Sequence, residues 1–151
     1  MLVDLYGGAA VCLIPEGWTD ASQFRQVPDN QEVYLETNGR GSLIIEILQH
    51  HEEFGPEFFF KDLANIDTAE ESVITLVSTH SGVRLGPNQV VTRTDIEGIH
   101  QIDGENICVC MTVFRVPPWD ADILVTTHNC TPEIQREIAH TLQFNSTDLF
   151  S

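Results

Sequence analysis

With 151 residues, 42% of them apolar and 20% charged, the chain can form one continuous hydrophobic core and is too apolar for a disordered tail. Its 23 Asp and Glu against 7 Lys and Arg give a formal net charge of −16. The basic residues stand singly at Arg25, Arg40, Lys61, Arg84, Arg93, Arg115 and Arg136, which argues against nucleic acid as a partner and makes a basic protein surface the natural complement.

Acidity also serves plain solubility, but it is uneven: residues 1–75 hold 14 acids and 3 bases. Four cysteines, Cys12, Cys108, Cys110 and Cys130, lack C-x-x-C spacing and read as reduced core residues. No segment has the length of a membrane-spanning helix, and "MLVDLYGGAAVCLIP" has no basic region before its apolar part, so an intracellular protein is expected and the sequons at Asn129 and Asn145 read as chance matches. One domain over 1–151 and a monomer are expected.

In chain order, the apolar run 9–14 closed by "PEGW" predicts a first strand. "DASQF" predicts one helical turn capped by Asp20 or Ser22. Residues 32–37 and 42–48 flank "NGRG", whose Asn38-Gly39 suits the positive φ angles of a tight hairpin. "PEFFFKDLANID", 56–67, predicts a helix with Pro56 in its first turn and Phe59, Leu63 and Ile66 at helical spacing, leaving Glu57, Asp62 and Asp67 on the polar side.

Runs rich in β-branched residues predict strands over 72–78, 89–102, 106–116 and 121–127. Asp103-Gly104 joins the second to the third as a hairpin, and Gly98 marks an expected bulge. The third run is apolar on both faces over 107–113, as a covered central strand would be. "TPEIQREIAHTL", 131–142, predicts a closing helix capped by Thr131, with Ile134, Ile138 and Leu142 in line. The fold class expected is α+β: a mainly antiparallel sheet sandwiched between helices.

No nucleotide-binding, hydrolase or metalloprotease motif is present. "HHEEF", 50–54, offers ligand types but no third ligand at a fitting distance, and reads as a solvated strand end. His80, His100, His128 and His140 share no spacing with a carboxylate or nucleophile and read as structural. Trp119 in "VPPWDAD" is either an exposed anchor or a cover on the core.

The densest polar stretch is "VPDNQEVYLE". Pro28 presets a turn that Asp29 and Asn30 suit, and alternation from Glu32 puts Val33 and Leu35 inward, with Glu32, Tyr34 and Glu36 outward. Carboxylates and amides then lie beside an aromatic ring, a face that suits a basic patch, a cation or solvent alone. A hydrolytic acid/base pair of Asp29 and Glu32 would need a concave site, which a turn and an exposed strand do not supply.

"LYGGAAVCLIPEGWTDASQFRQVPDNQEVYLE", residues 5–36, resembles the N-terminal signature of the Mog-one family of Ran-binding nuclear transport factors: an aromatic-Gly-Gly-Ala start, a Leu/Ile-Pro turn, an Asp-x-Ser segment and a Pro-Asp-x-Gln-Glu-Val block. "SLIIEIL", "FFFKDLA" and "ADILVTT" fit more loosely, and the "TNGRG" hairpin is short where relatives carry insertions. The resemblance implies the PsbP-like fold, binding to the GTPase Ran, promotion of guanine-nucleotide release, support of nuclear import, and residence in nucleus and cytoplasm. It implies a Ran-binding surface on Asp29 and Glu32, with Asp20, Asn30, Gln31 and Tyr34 beside them, and further Ran-binding proteins as possible companions. No catalytic residue, cofactor or metal ligand belongs to this reading. The other reading is an acidic adaptor for another basic partner, such as a cytoplasmic loop of a membrane protein, without nucleotide release.

Overall fold

The apolar runs assemble into two antiparallel sheets in the computed structural model, which describes residues 1–150. The strands are β1 (Leu2–Leu5), β2 (Ala10–Leu13), β3 (Trp18–Asp20), β4 (Gln31–Glu36), β5 (Ser42–Gln49), β6 (Glu71–Gly86), β7 (Gln89–Ile102), β8 (Glu105–Val116), β9 (Ala121–His128) and β10 (Gln143–Phe144). Two helices, α1 (Pro56–Ile66) and α2 (Pro132–Thr141), complete the frame. Seven strands run in the order β3-β4-β5-β9-β8-β7-β6, and β1-β2-β10 form a small second sheet.

Each face of the large sheet is covered by one helix, as the two amphipathic patterns require. Phe59 and Phe60 of α1 pack on Ile107, Val109, Met111 and Val113 of β8. Ile138 and Leu142 pack on the opposite face against Phe114, Val116, Ile123 and Val125. Strand β8 is therefore apolar on both sides because both sides are covered, and β9 is buried along nearly its whole length for the same reason.

The small sheet joins α2 on its face, with Leu5, Ala10 and Cys12 in the same cluster. All four cysteines are free, and Cys12, Cys110 and Cys130 are buried. Trp119 is also interior, stacked on Phe150 at 4.5 Å between ring centroids, so it covers the core end and is no exposed anchor.

Turn chemistry decides two hairpins differently. Asp103 and Gly104 both take positive φ, 50° and 79°, as a two-residue primed turn demands. Asn38 and Gly39 do not, and the loop runs over residues 37–41. Glu36 explains the difference: its backbone N–H donates to Gly41 O at 2.9 Å, while its Oε1 accepts from Gly41 N at 3.1 Å. A wider loop closed by one carboxylate replaces the tight turn.

Strand β6 extends to Gly86, well beyond the expected 72–78, because Gly82 enters the positive-φ region (72°) within an irregularity between His80 and Val83 and the pairing with β7 then resumes. The bulge expected at Gly98 lies across from it, between Ile74 and Leu76 of β6. Gly98 itself makes room: a Cβ there would meet Val73 O and the ring of the fully buried Phe60. Gly98→Ala is expected to destabilise the protein by about 1–3 kcal/mol through overpacking. Urea denaturation reads this directly, and an unchanged midpoint would mean that both β6 at Val73 and α1 at Phe60 can give way.

Candidate partner-binding site

The acidic turn is held from three directions. Within it, Gln31 N donates to Pro28 O at 2.9 Å, the closure a Pro-Asp-Asn turn favours. Against β5, Ile47 N donates to Asn30 O at 2.9 Å, Asn30 Nδ2 donates to Ile47 O at 3.1 Å, and Gln31 Nε2 donates to Glu46 Oε2 at 3.1 Å.

The third hold comes from the N-terminus. Tyr6 and Gly7 turn with φ of 52° and 67°, which brings Tyr6 N to Glu32 Oε1 at 2.8 Å. The Tyr6 hydroxyl is shared between Asn30 O at 3.0 Å and Ile45 O at 3.1 Å. Nearby, Asp20 accepts from Ser22 N at 2.9 Å and caps the 3-10 turn Ala21–Gln23, as the "DASQF" reading expected.

These contacts shape a pocket of about 270 Å³ whose walls include Tyr6, Asp20, Asp29, Gln31 and Glu32. It is more concave than the exposed strand face expected. No Lys or Arg lines it, and among the described residues none forms an ion pair with Asp20, Asp29 or Glu32. The Glu32 carboxyl is raised above the ordinary glutamate value, chiefly by burial; the Tyr6 N–H opposes this and the Asp20 charge adds to it. Like charges held together without a counter-ion suit the pocket to an incoming cation.

Of the expected residues, Asp20, Asp29, Gln31 and Glu32 meet here, and Asn30 contributes through its backbone and amide. Tyr34 does not face outward: it is buried in the main core, whereas Leu35 is 36% exposed. Simple alternation fails because the small N-terminal sheet covers the β4 face that carries Glu32 and Tyr34. Burial first, then the charges of Asp20 and Glu32, push the Tyr34 phenol up to about 12.

Two neighbours of the pocket, and one exposed aromatic beyond it, escaped the sequence reading. Tyr6 gives no local sign of its role beyond the Gly-Gly that follows it. Glu46 lies opposite Gln31 in the β4–β5 register, which the hairpin could have revealed. Phe24 is 68% exposed, just after the capped turn.

Two other polar groups correct the reading of the histidines. The 50–54 stretch is no solvated strand end at His50, whose Nδ1 lies 2.7 Å from Oδ1 of the fully buried Asp122. Arg115 Nε donates to the same oxygen at 2.7 Å, and its terminal nitrogens donate to Phe54 O at 2.6 Å and His51 O at 2.9 Å. His100 and His128 share a carboxylate after all, Asp67. Burial alone would raise the Asp67 carboxyl, but hydrogen bonds from the two imidazoles hold it well below the usual carboxylate range. No helix among the described residues is long and apolar enough to cross a membrane.

A family model described as "Ran-interacting Mog1 protein" matches residues 3–130. The chain is 30% identical over 143 residues to the Ran guanine nucleotide release factor of Homo sapiens, covering 85% of this chain and 75% of that protein. It is 58% identical over 33 residues to the nuclear import protein MOG1 of Saccharomyces cerevisiae, 22% of this chain and 15% of that one. The crystal structure of the Saccharomyces cerevisiae Ran-binding protein Mog1p superposes with a TM-score of 0.81 at 19% identity, over 100% of this chain and 98% of that one, and has the same fold.

Proposed function

The chain belongs to the family of Ran-interacting Mog1 proteins, and from that premise we propose that it binds the GTPase Ran through the pocket of Asp20, Asp29 and Glu32 and promotes release of Ran's guanine nucleotide. The carrying observation is the grouping of these carboxylates around one pocket that no Lys or Arg of this chain lines. Such a site gains most from a cation supplied by a partner. A P-loop GTPase holds its nucleotide with a lysine and Mg²⁺, both cations that a carboxylate can draw away from the phosphates.

Binding that is stronger to the nucleotide-free state than to the loaded state shifts the equilibrium toward release. Asp29, exposed on the turn, reaches outward, while Glu32 is fixed by Tyr6 N and needs no reordering on binding. Asn30 and Gln31 hold the turn to β5. Phe24, exposed just after the capped turn, offers a partner an apolar contact, the kind of exposed aromatic that anchors interfaces. Tyr34 acts from beneath, as part of the core that supports β4. No bond is made or broken in this scheme, so the protein is a regulator without covalent chemistry, moving between cytoplasm and nucleus in support of import.

The test is release of a fluorescent guanine nucleotide from purified Ran on adding the native chain or the Asp29→Ala, Glu32→Ala double variant. The expected result is acceleration by the native chain and its loss in the variant. Binding by the native chain without release would make it a Ran adaptor, and a variant as active as the native chain would move the site elsewhere.

A further inference from the structure

Away from the acidic pocket, donor atoms from three elements converge on one point. Asp67 forms the C-cap of α1, and its Oδ2 lies 2.8 Å from His100 Nδ1 on β7 and 2.8 Å from His128 Nε2 at the end of β9. The register explains the meeting: His100 pairs with Ile107 and His128 with Val109, so β7 and β9 present the two imidazoles on the α1 face from either side of β8. The ligand atoms of all three residues lie within 4.8 Å of one another.

We propose that Asp67, His100 and His128 form a Zn²⁺ site with a fourth coordination position open to the adjoining cavity. Two imidazole nitrogens and a carboxylate oxygen are a donor set that Zn²⁺ accepts, and three protein ligands with one exchangeable position are a common arrangement. Tetrahedral Zn²⁺ with bonds of about 2.0–2.1 Å holds its ligand atoms roughly 3.3 Å apart. The two 2.8 Å separations would open by about 0.5 Å, and the two imidazole nitrogens lie within 4.8 Å of each other.

Two further observations point to a ligand. The site has an entry path: Asp67 and His128 line a cavity of about 470 Å³ together with Asp103, Glu105, Arg40 and Asn129. Arg40 is engaged by Glu105 at 2.7 Å, which leaves the Asp103 carboxylate facing the cavity and the acidic chain as a whole to draw cations in. On metal binding each ring turns its lone pair inward and carries its proton on the other nitrogen. For His100 that is Nε2, on a ring that meets Phe60 edge-on at 4.9 Å.

The experiment uses the full chain freed of metal by a chelator. Calorimetric titration with ZnCl₂ is expected to show one equivalent bound, and Co²⁺ in its place to show the intense visible bands of a four-coordinate ion. His128→Gln should weaken binding by about 100-fold or more, while His80→Gln, a change at an exposed histidine, should leave it unaltered. In the native chain, the ¹⁵N ring resonances of His100 and His128 should shift together on adding one equivalent, a readout that holds even if His128→Gln fails to fold. Absence of binding, or binding that leaves those two rings unmoved or survives in His128→Gln, would overturn the proposal and mark any uptake as adventitious.

Discussion

Replacing Glu32 by glutamine is expected to leave the protein at least as stable at neutral pH while weakening its interaction with Ran by about 30-fold or more, the loss of 2–5 kcal/mol usual for truncating one member of a desolvated charge pair. The two effects separate because the two oxygens of the side chain have different tasks. Oε1 accepts from Tyr6 N, and a glutamine carbonyl can keep that bond. On balance the negative charge works against the fold: burial and the nearby Asp20 oppose it by more than the Tyr6 N–H favours it.

The sign with pH follows from the raised carboxyl. A group whose folded value lies above its unfolded value contributes stability in full below the unfolded value and loses it as pH rises through the folded one. Above that window the native chain carries a disfavoured charge that Glu32→Gln lacks. The melting temperature of the variant should therefore exceed or equal that of the native chain at neutral pH, and the gap should close as pH falls toward ordinary glutamate values. Nucleotide release by the native chain should weaken over the same descent. A variant clearly less stable at neutral pH would instead make the carboxylate a structural fastener of the N-terminus, and the functional reading of Glu32 would fail.

That separation also shows where the sequence was legible. The Pro-Asp-Asn turn, the Asp20 cap and the Asp-Gly hairpin could be read because each is a local bargain between a few neighbouring residues and a backbone conformation. Both helices and the doubly covered β8 could be read from periodicity. Tyr34 was misplaced because alternation along β4 says which residues share a face, not what covers that face. The cover is β1 and β2 of the N-terminal sheet, and β1 is only four residues long, with no strand signal stronger than "LVDL".

Tyr6 and the histidine clusters were hidden for a related reason. Tyr6 meets Glu32 across 26 residues, and Asp67 meets His128 across 61. Such spacings are set by strand order and register, above all by β9 lying between β5 and β8, and no short motif encodes them. The acidic pocket was half visible because its acids are adjacent in sequence. Its floor and its clamp were not.

Asp122→Ala is expected to destabilise the fold by about 3–5 kcal/mol, the cost of leaving a buried cation without its anion. Asp122 is fully buried and receives Arg115 Nε and His50 Nδ1 on a single oxygen, each at 2.7 Å. Arg115 in turn holds the carbonyls of His51 and Phe54, so this carboxylate governs the whole connection from β5 into α1. Its other oxygen, Oδ2, is buried without a partner, so the burial cost of this carboxylate is only partly offset by its ion pair. Removing both charges should then hurt less than removing one. In urea denaturation, Asp122→Leu with Arg115→Met should recover a substantial part of the loss seen in Asp122→Ala, and the residual deficit would report the freed loop at 50–55. If the double variant is as unstable as the sum of its singles, the two groups are not coupled and the loss in Asp122→Ala does not come from stranding Arg115.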